Sequence, residues 1–505
     1  MSTGEDFALI DAKYLLNDEQ VAQFITHGFV QLQTDFTEQF HQAVLKKMSE
    51  VYENEGNPGN NLVPRIPEIQ KFFDHPTVKG ALTSLLGPSY TMHAHRHGHF
   101  NRPGTSDGGW HKDNYWGNEK TRNHLPWSAM IFYYPQDVTD DMGPTGIVPG
   151  SQNRYKMNVA SEINLPVVGK AGSFVLINYD IWHRATANTS ANDRYMLKLL
   201  FFRLEAPKRA EWNNLREEWK TPEGMMPVPD NTLLWNHVWK WMSGSPAWAD
   251  RPADPAERTG AARHSDIAGL ESRLYGEDEN EALNAAYGLA AIGAEAVPAL
   301  IRGLKHTDPD VVNPLTFSIP RLCAHGLAAM GPEAIPALTE ALGDSYGNRD
   351  VIGQIAFALG EIGPPASGAV PALIGLLQEE SDFIRQHVVE ALGMIQEPAE
   401  QVVPALGGAL QDSSMYVRFS AGLALARIGP AAASAVGALK QALHDGDEGP
   451  APMLAASKAD KGARYVSAIA ATALQRIRTD EALDILLSYL QTARWCPSTT
   501  KVSTF

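Results

Sequence analysis

One unit recurs through the second half of this 505-residue chain, and no other feature restricts the fold as tightly. It reads Ile292-Gly293 then Val297-Pro298-Ala299-Leu300, and Met330-Gly331 then Ile335-Pro336-Ala337-Leu338. It continues as Ile362-Gly363 then Val370-Pro371-Ala372-Leu373, and as Val403-Pro404-Ala405-Leu406. A degraded copy follows at Ile428-Gly429 and Val436-Gly437-Ala438-Leu439, and a terminal one at Ile477 with Leu483 to Leu486. The spacing is roughly 32–38 residues, lengthened once by an insertion around 446–463. Glycine is suited to ending one helix, and proline to the first turn of the next, where its missing N–H costs little. Two helices per unit at that period predict an α-solenoid, each unit burying its apolar face only against its neighbours.

The pattern resembles HEAT repeats of the short bacterial type over about 270–490. Asp310-Val311, Asp382 with Arg385, and Asp412 with Arg418 fall in the expected turns between units. A stacked array presents an extended concave surface. That surface has three readings: a protein partner, self-association, or docking on the first half of the same chain. The domain expectation is 1–245, a linker over 246–264 without periodicity, the solenoid over 265–495, and a polar tail, 496–505.

The first half follows a different grammar, with short apolar or alternating runs, many Trp, Tyr and His, and frequent Gly and Pro. Asn17 and Gln20 predict a capping box opening a helix that Gly28 ends. Phe29 to Leu32 then reads as a strand, and 37–54 and 76–86 as helices. Strands are expected over His93–His99, Trp127–Tyr134, Gly146–Ser151, Gly172–Ile177 and Tyr195–Arg203. Short strands preceded by helices predict a double-stranded β-helix, a jelly-roll with helices packed outside. A formal net charge of −16 argues against nucleic acid or an acidic membrane as partner. The start of the chain lacks the pattern of a signal peptide, and no apolar window is long enough for a membrane span. The two cysteines, Cys323 and Cys496, form neither a zinc spacing nor a disulfide framework. These features predict a cytoplasmic protein.

The chemistry concentrates at Trp110-His111-Lys112-Asp113. On an extended segment His111 and Asp113 point the same way, so one tetrapeptide can supply two metal ligands. H-x-D alone is a weak signal, frequent by chance. His183, just past an apolar strand, is the best third ligand. Two His and one carboxylate with open positions opposite form the facial site of non-haem Fe(II) oxygenases. Arg194 opens the next strand, where its guanidinium can grip a carboxylate or simply pair with Asp193 or a surface acid. His93, His95, His97 and His99 alternate along one strand face. Nothing acidic follows at the spacing of a second metal site, so they are expected to line the barrel interior or rim. Arg102, Asn114, Tyr115, Trp116 and Trp182 flank the ligand positions as substrate contacts or as packing at the barrel mouth.

Residues 15–205 resemble the phytanoyl-CoA dioxygenase family of Fe(II)/2-oxoglutarate oxygenases, through several motifs in order. Trp110 to Asp113 is similar to the family's W-H-x-D, and Trp127-Ser128-Ala129-Met130 to its W-T-A-M strand. Gly143 to Ser151 is similar to its N-G-x-L-x-x-x-P-G-S-H, and Gly172 through His183 to its G-D-x-x-x-F…H. Arg194 falls at the family's His-to-Arg spacing. The resemblance implies Fe(II) on His111, Asp113 and His183, and 2-oxoglutarate as co-substrate. It places Arg194 on the far carboxylate, with Trp127 packed beside it. Of the histidine row, His97 and His99, closest to the loop that leads to His111, are the pair expected near the co-substrate or substrate. Gln152 stands where the family usually has a non-ligand His, and Asn178-Tyr179-Asp180 departs from the commoner approach to the distal His. Related halogenases carry Gly or Ala in place of Asp113, so the resemblance implies hydroxylation or a related oxidation rather than halogenation, and the leading expectation is a small-molecule substrate. Two other readings are a peptide or protein hydroxylase recruiting its substrate through the repeats, and a scaffold without catalysis.

Overall fold

The computed structural model describes residues 10–492 apart from 59, 61, 116–119, 158–161, 247, 250–265, 307–317, 345–347 and 446–459. Trp116, Asp310-Val311, most of the expected linker and the tail 496–505 lie outside the described residues.

The first helix, α1 (Asp18–His27), starts at the expected capping box. The Gln20 amide donates to the Asn17 side chain (2.9 Å) and the Asn17 amide to the Gln20 side chain (3.0 Å). Gly28 closes the helix at φ 78°, a left-handed conformation that costs glycine nothing. Strand β1 (Phe29–Gln33) follows at once, and then α2 (Glu38–Glu55), α3 (Leu62–Arg65), α4 (Glu68–Asp74) and α5 (Pro76–Leu86). The remaining strands are β2 (Tyr90–Asn101), β3 (Ser128–Tyr133), β4 (Thr145–Ile147), β5 (Leu165–Val167), β6 (Ser173–Asn178), β7 (His183–Ala185) and β8 (Arg194–Arg203). They form two antiparallel sheets, β1-β6-β3-β8-β2 and β5-β4-β7, the two sheets of the expected jelly-roll.

β8 sits between β3 and β2, and all ten of its residues are buried. On its helix side Tyr195 packs 5.5 Å from Tyr52 of α2, and Phe201 lies 5.8 Å from Phe73 of α4. On the neighbouring β3, Tyr133 meets Phe72 of α4 at 4.0 Å. Alternation then sends Arg194, Met196 and Lys198 into the barrel. Strands β5 and β7 were not expected: three residues each are too few to show a period.

After α6 (Thr232–Met242) the chain becomes wholly helical: α7 (Ile267–Leu274), α8 (Glu279–Ile292), α9 (Val297–Leu304), α10 (Ile319–Met330), α11 (Ile335–Asp344), α12 (Arg349–Ile362) and α13 (Val370–Gly375). It ends with α14 (Asp382–Ile395), α15 (Ala399–Ala409), α16 (Met415–Ile428), α17 (Val436–Ala442), α18 (Asp460–Ile477) and α19 (Asp480–Thr492). Helices α8, α10, α12, α14, α16 and α18 stack in that order as the inner layer of the solenoid. The repeat glycines end inner helices at positive φ, from 66° at Gly429 to 94° at Gly293. Two details differ from the sequence expectation. Pro404 lies inside α15 rather than in its first turn, because that helix begins earlier, at Ala399. The turn acids pair across repeats: Arg385 grips Asp412 (2.7 and 2.8 Å) and Arg418 grips Asp445 (2.6 and 3.2 Å). The apolar stretch Met415–Ala442 breaks at Gly429 and packs within the array, as a repeat does. Cys323 is buried in α10, where desolvation pushes its thiol up and leaves it an apolar filler.

The inner layer is filled by the chain's own first half. The Tyr155 and Lys156 amides donate to the Glu279 carboxylate of α8 at 2.5 and 2.7 Å. His124 stacks on His325 of α10 at 3.6 Å, and its Nδ1 lies 2.9 Å from the Tyr287 hydroxyl of α8. At the other end Arg476 of α18 reaches Glu205 (2.8 Å) and Ser89 (3.2 Å). Of the three readings of the concave face, the structure realises docking on the first half of the same chain.

Candidate metal centre

The site is built where an isolated pair of backbone bonds joins two loops. The His111 amide donates to the His183 carbonyl and the His183 amide to the His111 carbonyl, both at 3.0 Å. This antiparallel bridge sets the two residues directly opposite, so their side chains share a face, with ring centroids 4.4 Å apart. Asp113 returns to the same side, and its carboxylate lies 3.6 Å from Nε2 of His183. One ligand atom from each of His111, Asp113 and His183 lies within 4.8 Å of the other two.

Both rings are oriented by their backbone. Nδ1 of His111 donates to the Gly109 carbonyl at 2.9 Å, and Nδ1 of His183 to the Ile181 carbonyl at 3.1 Å. Each bond fixes the tautomer that leaves Nε2 as a lone-pair donor. Burial, reinforced by the Lys198 ammonium, pulls His183 down to about 3, so its ring is neutral as a ligand must be. Burial alone would raise the Asp113 carboxyl. The Lys198 ammonium and both His rings outweigh it and hold Asp113 well below the usual carboxylate range. His183 and Asp113 are buried while His111 is exposed, which supplies an entry path. Two imidazole nitrogens and one carboxylate converging on one face fit a divalent iron.

Lys198 was missed in the sequence. Its ammonium contacts the Asp113 carboxylate and lies 3.2 Å from Nε2 of His183, with Phe132 and Tyr115 rings 5.6 and 5.8 Å away. Burial pulls its pKa down, while Asp113 opposes that shift. The missed signal is a lysine in the apolar run Tyr195–Arg203, four residues and therefore two steps beyond Arg194 on the same strand face.

Arg194 is 2% exposed and points inward. Its Nε and Nη2 donate to the Gly143 carbonyl at 2.9 and 2.6 Å, while Nη1 is buried with no partner among the described residues. The alternative of a pair with Asp193 or a surface acid is not what the structure shows. His99 is half-buried, its Nε2 atom buried and lacking a partner among the described residues, and desolvation holds it well below its ordinary value. His97 stacks 5.6 Å from His95 and 5.0 Å from His99, so the histidine row is continuous. Trp127 is a correction. It lies opposite the Arg203 end of β8, whose amide donates to its carbonyl, whereas Arg194 starts the other end. There Trp127 packs 5.1 Å from Trp241 under the Arg427 guanidinium at 4.7 Å, as part of the contact with the solenoid.

Among the substrate candidates, Tyr115 stands between the metal site and the histidine row: its ring is 4.2 Å from His95, and its amide donates to the Tyr179 hydroxyl at 2.9 Å. Trp182 is half-buried beside His183, with the Lys112 ammonium 5.7 Å from its ring. Arg102 is exposed and lies over Phe100 at 5.0 Å. Asn114 is half-buried next to Asp113. Gln152 donates to the Ile25 and Thr26 carbonyls (3.0 and 3.3 Å) and so serves the end of α1.

A jelly-roll with two histidines and one aspartate converging between its sheets is the architecture of a non-haem iron oxygenase. Residues 25–196 match the phytanoyl-CoA dioxygenase family model, residues 282–306 the PBS lyase HEAT-like repeat and residues 335–400 the HEAT repeats. The chain thus carries a phytanoyl-CoA dioxygenase domain, an oxygenase of the iron and 2-oxoglutarate type, followed by HEAT-like repeats. No curated protein matches it. Solved structures similar to it include the non-heme alpha ketoglutarate dependent carbocyclase SnoK from nogalamycin biosynthesis. That likeness is 20% identity over 37% of this chain and 84% of that one, with a TM-score of 0.32. CytC3 with Fe(II) and alpha-ketoglutarate is 14% identical over 38% and 79%, with a TM-score of 0.31. EctD from S. alaskensis is 16% identical over 40% and 80%, with a TM-score of 0.33.

Proposed function

We propose that this protein hydroxylates a small molecule, converting a substrate C–H, dioxygen and 2-oxoglutarate into C–OH, succinate and CO₂. The observation that carries the reading is the convergence of His111, Asp113 and His183 within 4.8 Å inside the domain that matches the family. Fe(II), when bound, supplies the redox chemistry that couples decarboxylation of 2-oxoglutarate to oxidation of the substrate. The protein's part is positional. Nε2 of His111 and of His183 are presented in the right tautomer by the Gly109 and Ile181 carbonyls. Asp113 supplies the anionic ligand and keeps that position from a halide, which supports oxygen over halogen transfer. Arg194 offers its unpartnered Nη1 to the far carboxylate of 2-oxoglutarate. Phe132 packs 5.7 Å from the His183 ring and helps to keep water from that side of the site.

A small substrate is favoured over a polypeptide because residues 120–127 of the chain itself lie along the inner helices that would recruit one. The test is mass spectrometry of candidate pools incubated with Fe(II) and 2-oxoglutarate, with succinate formation followed in parallel. Turnover retained in His111→Ala or Asp113→Ala would falsify the assignment, and so would absence of Fe(II) binding by the native protein.

A further inference from the structure

Between the metal-ligand segment and β3, residues 120–124 run along the inner layer of the solenoid, and all but Arg122 are gripped by its helices. Lys120 pairs with Glu390 of α14 at 3.2 Å. Thr121, wholly buried, donates its amide to Nε2 of His387 of α14 (3.2 Å) and its hydroxyl to Gln354 of α12 (3.1 Å). His387 Nδ1 donates in turn to the Phe383 carbonyl at 2.8 Å, which leaves Nε2 as the acceptor Thr121 needs. Asn123 donates to Glu361 of α12 at 2.8 Å, and His124 meets Tyr287 of α8 and His325 of α10.

Arg122 alone faces the other way. One arm of its guanidinium pairs with the Asp180 carboxylate, and Nη2 donates to the backbone carbonyl of Asp113 at 3.1 Å. Asp180 stands in the turn that delivers His183, where its own amide is tied to the Asn178 side chain at 2.9 Å. A single guanidinium therefore joins the two loops that carry all three ligands. Its flanking residues are fixed to helices α12 and α14.

We propose that Arg122 is the positioning residue of the metal centre, and that the HEAT-like solenoid serves the oxygenase by clamping residues 120–124 so that this guanidinium holds Asp113 and the His183 turn in register. The inference rests on the reading of His111, Asp113 and His183 as a metal site. The planar fork suits the task, because it spans a carbonyl and a carboxylate at once where an ammonium reaches one. Outer partners of this kind set ligand geometry without touching the metal.

The test is titration of the full-length protein with Mn(II) alone, with affinity read by calorimetry and fold by circular dichroism and thermal melting. Arg122→Met is expected to weaken Mn(II) binding by about tenfold or more. His387→Ala, which removes an acceptor on the solenoid far along the chain from every ligand, is expected to weaken it by about threefold or more. Arg418→Ala, which breaks an inter-repeat pair instead, lowers the melting temperature and leaves Mn(II) affinity unchanged. If Arg122→Met does not fold, Arg122→Lys replaces it, with a smaller loss expected in the same direction. Native binding combined with unchanged affinity in the Arg122 variant or in His387→Ala overturns the proposal. Failure of the native protein to bind any divalent metal overturns the metal-site reading itself, which keeps the two apart.

Discussion

The Nζ atom of Lys198 lies 3.2 Å from Nε2 of His183 and in contact with the carboxylate of Asp113, so a protein cation rests against two of the three atoms a metal would claim. Metal entry must separate this ammonium from both partners in a buried site, where losing a counter-charge is costly. Lys198→Met keeps the stem packed against Phe132 and removes the competing charge. The variant is expected to bind Mn(II) about tenfold more tightly than the native protein, since a lost competitor of about 1.4 kcal/mol corresponds to that factor. Equal or weaker binding by a folded Lys198→Met would show that the lysine assists the site rather than contending for it.

Arg194 shows how a buried cation can be half satisfied. Two of its nitrogens share the Gly143 carbonyl, and Nη1 is left for a ligand. Arg194→Met removes both functions. Loss of a buried charge-assisted pair costs about 2–5 kcal/mol, so the dissociation constant of 2-oxoglutarate is expected to rise by about 30-fold or more, while Mn(II) binding alone changes little. Anaerobic calorimetry of the Mn(II)-loaded protein reads this directly. Partial recovery in Arg194→Lys would mark charge as the dominant element, and no recovery would mark the bidentate geometry.

How far the sequence carried these conclusions differs from residue to residue. The solenoid was legible because its signal repeats: glycine and proline at fixed offsets leave a period that survives substitution. His111 and Asp113 were legible because a period-2 strand makes two residues into one face. Lys198 and Arg122 were not. The interior direction of Lys198 follows from Arg194 only once β8 is known to be covered on both faces, by helices on one and the barrel interior on the other. Arg122 is local in sequence to nothing it touches except Asp113, since Asp180 lies 58 residues away. Trp127 was misplaced for a related reason. A motif match fixes its position in sequence, but the long inner face of the solenoid, absent from the resemblance, offers it Arg427 and an interface instead.

The same interface bears on whether the first half can stand alone. Tyr465 of α18 is 7% exposed, its ring 4.5 Å from His93 and its hydroxyl 3.2 Å from Nδ1 of His95. Phe419 and Arg427 of α16 cover His93 (5.2 Å) and Trp127 (4.7 Å), and Thr121 and His124 are covered by α12 and α10. Removing residues 246–505 would uncover this aromatic and histidine surface together, a contiguous patch of the kind that drives association. The truncated chain 1–245 is expected to aggregate or to lack a cooperative melt, and to bind Mn(II) far more weakly than the full chain. A soluble, metal-binding 1–245 fragment would show that the solenoid is dispensable for folding.

Stability should also carry a pH signature of the interface. Burial pushes the Glu361 carboxyl up to about 7, against the opposing pull of the Asn123 hydrogen bond and of Lys120 and Arg427. Its folded pKa is raised above the unfolded value of 4.5, so the folded state holds the proton more tightly. The stability this confers is fully present below the unfolded value and is lost as pH rises through about 7. Glu361→Gln retains an acceptor for Asn123 Nδ2 and cannot ionise. Native and variant proteins should therefore melt alike near pH 4.5 and diverge towards pH 8, with the variant ahead by about 1–3 kcal/mol. Thermal or urea unfolding across that range measures the gap. A difference of constant size at every pH would show that Glu361 acts through its shape and hydrogen bond rather than through its charge.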